Sequence, residues 1–373
     1  MAGIYIHIPF CKQACSYCNF HFSTKLSNKA EMVNAIEKEI ETRKHYLNHE
    51  IVNTIYFGGG TPSLLEEEEL MRLFEVLYKT FEISANAEVT LEANPEDLTL
   101  SKLIILRSSP INRLSIGVQS FFEKDLRFMN RAHSAEEAIS SIKQAQNQGF
   151  ENLNLDLIFG SPSTTDAMWE KSLAQFFELK VQHLSAYSLT LEEKTALSHL
   201  IKSGKSQPID DTQNYRQYQI LLQAIESNGY EQYELSNYAK HKNYSKHNTA
   251  YWFGEKYMGI GPAAHSFNGT SRQWNLSNNM LYLKAIKEHK THHVLENLSE
   301  TDRYHEYLIT ALRTKWGVSF EEIEKFSNPL KMHFFEQIKK LNFNGLICSD
   351  KSLKIDSANL FQSDELVRKL MLD

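Results

Sequence analysis

The residue types best suited to chemistry gather near the start of the chain. Cys11, Cys15 and Cys18, three of its four cysteines, stand within eight positions as C-x3-C-x2-C. Thiolates spread along one loop can converge on an inorganic centre. Structural zinc asks for four ligands, usually from paired Cys-x-x-Cys knuckles, whereas a disulfide would leave one thiol over and need an oxidising compartment. Iron–sulfur clusters are held by thiolates. Three thiolates on a four-iron cube leave one iron open to a small molecule. Spacing and context favour the cluster over zinc and disulfide.

Other positions suit a ligand as well. Gly58-Gly-Gly-Thr-Pro62 lets the backbone approach a ligand closely, although a tight strand-to-helix bend uses the same residues. Glu92, in Leu91-Glu-Ala-Asn-Pro-Glu96, and Asp156, in Asn154-Leu-Asp-Leu-Ile-Phe-Gly160, are acids that need partners if buried. A helix cap for the first and an internal arginine for the second are the structural alternatives. Gln119 closes Ser115-Ile-Gly-Val-Gln, and Arg131 lies in Met129-Asn-Arg-Ala-His133, where a solvated surface charge is the plain reading.

These residues need elements to position them, and the first half of the chain supplies a βα rhythm. Strands are expected at Ile4–Ile8, Thr54–Phe57, Glu88–Ala93, Arg113–Val118, Asn152–Phe159 and His183–Leu189. Helical patterns fall at Lys29–Leu47, Leu65–Thr80, Ser101–Arg107, Ala135–Gln148 and Met168–Leu179. Six such units make a curved α/β sheet, a partial barrel, whose chemistry belongs on the loops at the C-terminal strand ends. The cysteine loop follows the first strand, as that rule requires. The rhythm stops near residue 210. Asp211–Asn228 reads as a helix with Gly229 as its cap, followed by a segment dense in histidine, tyrosine and glycine. From about residue 300 come helices at Asp302–Leu312, Phe320–Phe326 and Lys331–Leu341. A hairpin (Leu346–Ser349, Ser352–Ile355) and a last helix, Ser363–Leu370, complete a winged-helix outline, read as a capping domain. Three regions result: 1–210, 211–299 and 300–373. Cys348 is expected to be a small buried hydrophobe.

With an aromatic, Tyr17, before its last cysteine, the triplet resembles the signature of the radical S-adenosylmethionine (SAM) enzymes. Tyr5-x-His7-Ile-Pro-Phe narrows the resemblance to the oxygen-independent coproporphyrinogen oxidase group and its heme chaperone branch. The resemblance implies the radical SAM partial (β/α)6 barrel with a smaller, mostly helical C-terminal domain. It also implies a [4Fe–4S] cluster on Cys11, Cys15 and Cys18 whose open iron is chelated by the amino and carboxylate groups of SAM. Gly59, Gly60 and Thr61 match the glycine-rich strand that binds the SAM amino group, and Glu92, Gln119, Arg131 and Asp156 match SAM contacts, with Tyr5 nearby. An arginine fork suits a carboxylate. His247-Asn-Thr-Ala-Tyr-Trp252 resembles a heme-binding motif of the chaperone branch. Imidazole is a common axial ligand of heme iron, so His247 is the heme-ligand candidate, with His265 a second, against the alternative of hydrogen-bonded structural histidines.

The bulk numbers bound the rest. With 373 residues, 42% apolar and 23% charged, the chain fits a large α/β domain plus a smaller one. It shows no run long and apolar enough to span a membrane and no signal-peptide pattern, so a cytoplasmic location is expected. A net charge of −6 without a long basic run argues against non-specific nucleic-acid binding and against a tRNA-modifying role. Within the resembled group, the dehydrogenases carry a further cysteine two positions after the third, where this chain has Phe20, and an N-terminal extension for which the short lead into the first strand leaves no room. With the His247–Trp252 motif, this favours a heme chaperone that delivers heme to apoproteins, including respiratory, membrane-associated ones, as a homodimer candidate. The alternative is coproporphyrinogen III dehydrogenation. Whether SAM is cleaved on any substrate stays open.

Overall fold

A computed structural model describes residues 2–372. Strands β1 (Ala2–Ile8), β2 (Val52–Gly59), β3 (Ile83–Ala93), β4 (Arg113–Gln119), β5 (Asn152–Phe159) and β6 (His183–Ser188) run parallel in sequence order. Between them lie α1 (Lys29–Thr42), α2 (Glu67–Thr80), α3 (Leu100–Ser108), α4 (Glu123–Phe128), α5 (Ala135–Asn147) and α6 (Asp166–Glu178). The apolar pattern places each helix. In α2, Leu70, Leu73, Phe74 and Leu77 form the buried stripe, and a reciprocal Glu66–Glu69 capping box starts the helix. A second box, Ser134–Glu137, starts α5. The expected helix from Lys29 ends earlier, at Thr42, because Arg43 turns inward to hydrogen-bond the sheet.

The sheet continues past residue 210. After α7 (Ala196–Lys202) and α8 (Asp211–Ser227) come β7 (Tyr230–Glu234) and β8 (Asn237–Lys240); β8 adds antiparallel to β6, and β7 pairs antiparallel with β8 at the sheet edge. Beyond α9 (Lys246–Trp252), β9 (Lys256–Ile260) pairs parallel with β1 on the opposite side. It is followed by antiparallel β10 (His265–Phe267), β11 (Ser271–Asn275) and, after α10 (Asn279–Lys287), β12 (His293–Asn297). The result is one twelve-stranded sheet. Residues 211–299, expected to connect two regions, thus supply half its strands and a seventh parallel one. β9 escapes a sequence reading because it is short, contains Gly259 and follows a seven-residue helix.

Residues 300–372 fold around a second core of Tyr304, Leu308, Phe334, Leu353 and Leu366. It is built from α11 (Glu300–Ala311), α12 (Phe320–Ile323), α13 (Asn328–Lys340), α14 (Ser363–Leu370) and a small sheet of β13 (Val318–Ser319), β14 (Leu346–Cys348) and β15 (Ser352–Ile355). Contacts such as Tyr218 Oη to the Ser357 carbonyl (2.8 Å) and Lys315 to Glu231 (2.6 Å) seat it on the β7 edge. Cys348 is exposed, not buried. The reason is that it falls on the short β14, which pairs only with β15 and packs little of its own surface.

Candidate functional site

The parallel strands end at one mouth, and the cysteine loop 11–18 lies across it. Backbone bonds pin the loop at both sides: Cys11 N–H donates to the Ser23 carbonyl (3.1 Å) and Ser16 N–H to the Met129 carbonyl (3.0 Å). Beneath it is a narrow cavity of about 150 Å³ that Cys11, Cys15 and Cys18 line together with Gly59, Gly60, Thr61, Glu92, Gln119 and Arg131. The chain thereby brings together nine of the residues singled out from sequence. No three of the described His, Cys, Asp or Glu side chains are gathered as a single metal ion would need. Thiols spread around a wall suit a body larger than one ion.

Burial pushes the Cys11 thiol up to about 11, and Cys18 is raised for the same reason. Both would release a proton on binding iron. Arg131 donates to Cys15 Sγ (3.2 Å) while its other amino group holds Asn94 Oδ1 (2.6 Å) and the Gly117 carbonyl (2.7 Å). Its Nε is buried with no partner, so one donor remains for an anionic ligand. Glu92 accepts from Tyr56 Oη (2.8 Å) and from Gly59 N–H (3.2 Å). Burial, then repulsion from Asp156, still lifts its carboxyl to about 7. A cation in this cavity would lower it.

The glycines are required by space. A Cβ on Gly59 (φ 107°) would stand 2.5 Å from the His7 ring, and one on Gly60 would stand 2.6 Å from the Phe10 carbonyl oxygen. Gln119 takes φ 68° without being glycine, a left-handed conformation that costs about 1–2 kcal/mol and turns the strand end into the cavity.

Three sequence candidates lie elsewhere. Asp156 sits below the narrow cavity, accepting from Asn154 Nδ2 (2.8 Å) and from Ser115 Oγ (3.3 Å), the latter a lining residue. Burial raises it as well. Tyr5 faces a second, larger cavity of about 1230 Å³, with its hydroxyl 3.3 Å from His7 Nδ1. His247 lines neither cavity. It is 2% exposed, its Nδ1 hydrogen-bonds Thr54 Oγ1 (2.7 Å) and its Nε2 hydrogen-bonds Tyr251 Oη (2.8 Å). Burial presses it down to about 3. Both nitrogens are thus engaged by hydroxyl groups, and His247 meets the larger cavity only through Tyr251, which lines it. The ring orients Tyr251.

Residues that sequence reasoning missed are Asn94, which bridges Arg131 and Thr61, and the aromatic wall of the larger cavity. That wall includes Asn248, Tyr251 and Trp252 of α9, with Tyr257 and Phe267 from β9 and β10. The quoted His247–Trp252 motif held the signal, since Tyr251 and Trp252 follow one turn on from His247. Phe20, 71% exposed, borders both cavities.

Residues 5–176 match the radical SAM superfamily and residues 298–355 the HemN C-terminal domain. The chain is 35% identical to the heme chaperone HemW of Bacillus subtilis (94% of each chain). It is 33% identical to the heme chaperone HemW of Lactococcus lactis, covering 99% of this chain and 97% of the relative. Its fold is similar to that of coproporphyrinogen III oxidase (HemN) from Escherichia coli, a radical SAM enzyme, with a TM-score of 0.86, 23% identity, and coverage of 99% of this chain and 89% of that one. Membership implies a [4Fe–4S] cluster and SAM. The residues fit: three thiols, an orphaned Arg131 donor and a raised Glu92 surround one space. A cluster bound there would be an electron source beside SAM; Arg131 donates to the Cys15 sulfur, Glu92 presents a carboxyl to the same cavity, and the glycines leave its wall open to a ligand. The chain belongs to the radical SAM superfamily and, within it, to the HemW branch of the oxygen-independent coproporphyrinogen oxidase-like family.

Proposed function

We propose that the protein is a heme chaperone that binds heme in the larger cavity and passes it to acceptor apoproteins, including respiratory, membrane-associated ones. The carrying observation is the aromatic segment of α9, which turns Asn248, Tyr251 and Trp252 into a cavity of about 1230 Å³ beside the cysteine loop. That volume exceeds the ~300–1,000 Å³ usual for small-molecule sites, and aromatic walls suit a flat macrocycle. Relatives named heme chaperone HemW support the reading. Cys11, Cys15 and Cys18 hold the cluster, and Gly59, Gly60, Thr61, Glu92, Gln119 and Arg131 surround SAM. Asp156 braces that site from below, Tyr5 stands between the two cavities, and His247 serves heme through Tyr251. No described helix is long and apolar enough to cross a membrane; action in the cytoplasm is part of the proposal. A homodimer belongs to the same reading.

The test is anaerobic. Cluster-reconstituted protein with SAM and reductant receives coproporphyrinogen III in one tube and hemin in another. Stable hemin binding without protoporphyrinogen is expected, and Trp252→Ala should weaken hemin binding about tenfold, the equivalent of ~1.4 kcal/mol. Turnover of coproporphyrinogen would make the protein a dehydrogenase and sink the chaperone reading.

A further inference from the structure

We infer that His265, rather than His247, supplies the nitrogen that ligates heme iron; this rests on the heme-binding reading of the larger cavity. Three histidines border that cavity: His7, His21 and His265. His7 is committed on both sides, with Nδ1 to Tyr5 Oη (3.3 Å) and Nε2 to the His21 carbonyl (2.8 Å). His21 has its outer nitrogen, Nε2, bound to Asn279 Oδ1 (2.7 Å), which leaves only the nitrogen crowded by its own backbone. His265 is exposed and has no hydrogen bond on either nitrogen among the described residues. Its ring is held only by stacking near Trp274, with centroids 6.3 Å apart.

The surroundings match the role. His265 opens β10 opposite Trp274, and Phe267, two residues on, lies on the same face and borders the cavity. Tyr257, paired with Phe267, and Tyr251 extend this aromatic wall. A neutral imidazole is needed to donate a lone pair. Although the residue is exposed at the cavity rim, the partial withdrawal of its ring from solvent, then the positive Arg272, hold it below its usual range. Heme also carries two propionates. Arg303 borders the cavity with no ion-pair partner among the described residues, while Arg272 and Arg313 are paired with Glu306 and Asp364. The cavity thus offers a ring nitrogen, a π-surface and a free cation to one ligand.

Reconstituted wild type, His265→Ala, His21→Ala and His247→Ala would each be titrated with hemin. The Soret band and the ferric electron paramagnetic resonance signal report the ligand, and far-UV circular dichroism reports folding. In His265→Ala the imidazole signature should disappear, affinity should fall about tenfold, and added imidazole should restore the spectrum. His247→Ala should lower affinity through the displaced Tyr251 yet keep the signature, and His21→Ala should keep both. A wild-type spectrum in His265→Ala, or loss of the signature in His21→Ala or His247→Ala instead, overturns the assignment and leaves heme binding standing. Wild type that binds no hemin overturns both.

Discussion

At the scale of the residue, Glu92 joins sequence to function through its proton. A carboxyl raised from 4.5 to about 7 is held protonated by the fold. The unfolded chain ionises near 4.5, so Glu92 lowers stability progressively as pH rises from there to about 7. An ammonium ligand reverses the preference by favouring the charged form. SAM should therefore bind more tightly as pH rises through about 7, with proton release on binding near pH 6.5. Titration calorimetry in two buffers of different ionisation enthalpy checks this. Equal heats in both buffers would exclude Glu92 as the group that meets the amino end. Glu92 and the cysteines were legible because each breaks a local rule, an acid at an apolar strand end and thiols at close spacing, whereas Arg131 reads as a surface charge and was singled out only by the resemblance. Asn94 breaks none, since an asparagine before proline reads as an ordinary turn. His247 was legible as unusual, yet its direction was not, because burial behind Tyr251 depends on α9 packing against β2.

At the scale of the element, the first six strands and most of their helices follow from period alone, since each strand is an apolar run between capped amphipathic helices. The antiparallel strands between residues 230 and 297 were hidden, whereas the C-terminal hairpin was legible. The hidden strands are three to five residues long, and Glu234, Asn237, His265, Phe267 and Arg272 among them face a cavity instead of the core, so period-2 patterning is lost. The glycine strand end allows a sharp test. A Cβ at Gly60 meets the Ile8 and Phe10 backbone, which leads directly into the cysteine loop and cannot yield as a side chain would. Gly60→Ala should destabilise the protein by about 1–3 kcal/mol and reduce cluster retention. Denaturant midpoint and iron and sulfide content after reconstitution measure the two effects. Unchanged iron content with an unchanged midpoint would show that the loop does not depend on this close approach.

At the scale of the molecule, one buried carboxylate ties the two halves of the sheet. Glu39 of α1, fully buried, accepts from Arg43 (3.0 Å), Asn275 (2.8 Å), Tyr282 (2.7 Å) and Gly261 N–H (2.8 Å), with His292 Nε2 at 3.0 Å. Arg43 continues to the Gly259 carbonyl (2.7 Å) and Gln273 (2.9 Å). Burial opposes the charge, but His292 and Arg43 outweigh it and hold Glu39 at about 2. Its contribution is therefore present above about 4.5 and lost as pH falls toward 2. Glu39→Ala, which strands Arg43 without its counter-charge, should cost about 3–5 kcal/mol, read as a lower denaturant midpoint at pH 7. A loss that persists at pH 2 would show that packing, not charge, carries the effect. No sequence period reports this tie, because Glu39 and Arg43 are separated by more than two hundred residues from Gly261, Asn275, Tyr282 and His292.

Phe20 stands where the two cavities meet. A ring that forms part of both walls is a term in the free energy of each occupant. If its position answers to one ligand, the affinity for the other must change by the same factor in either order of binding. Heme and SAM would then be linked quantities: the factor by which SAM changes heme affinity equals the factor by which heme changes SAM affinity, and one aromatic side chain sets the size of both.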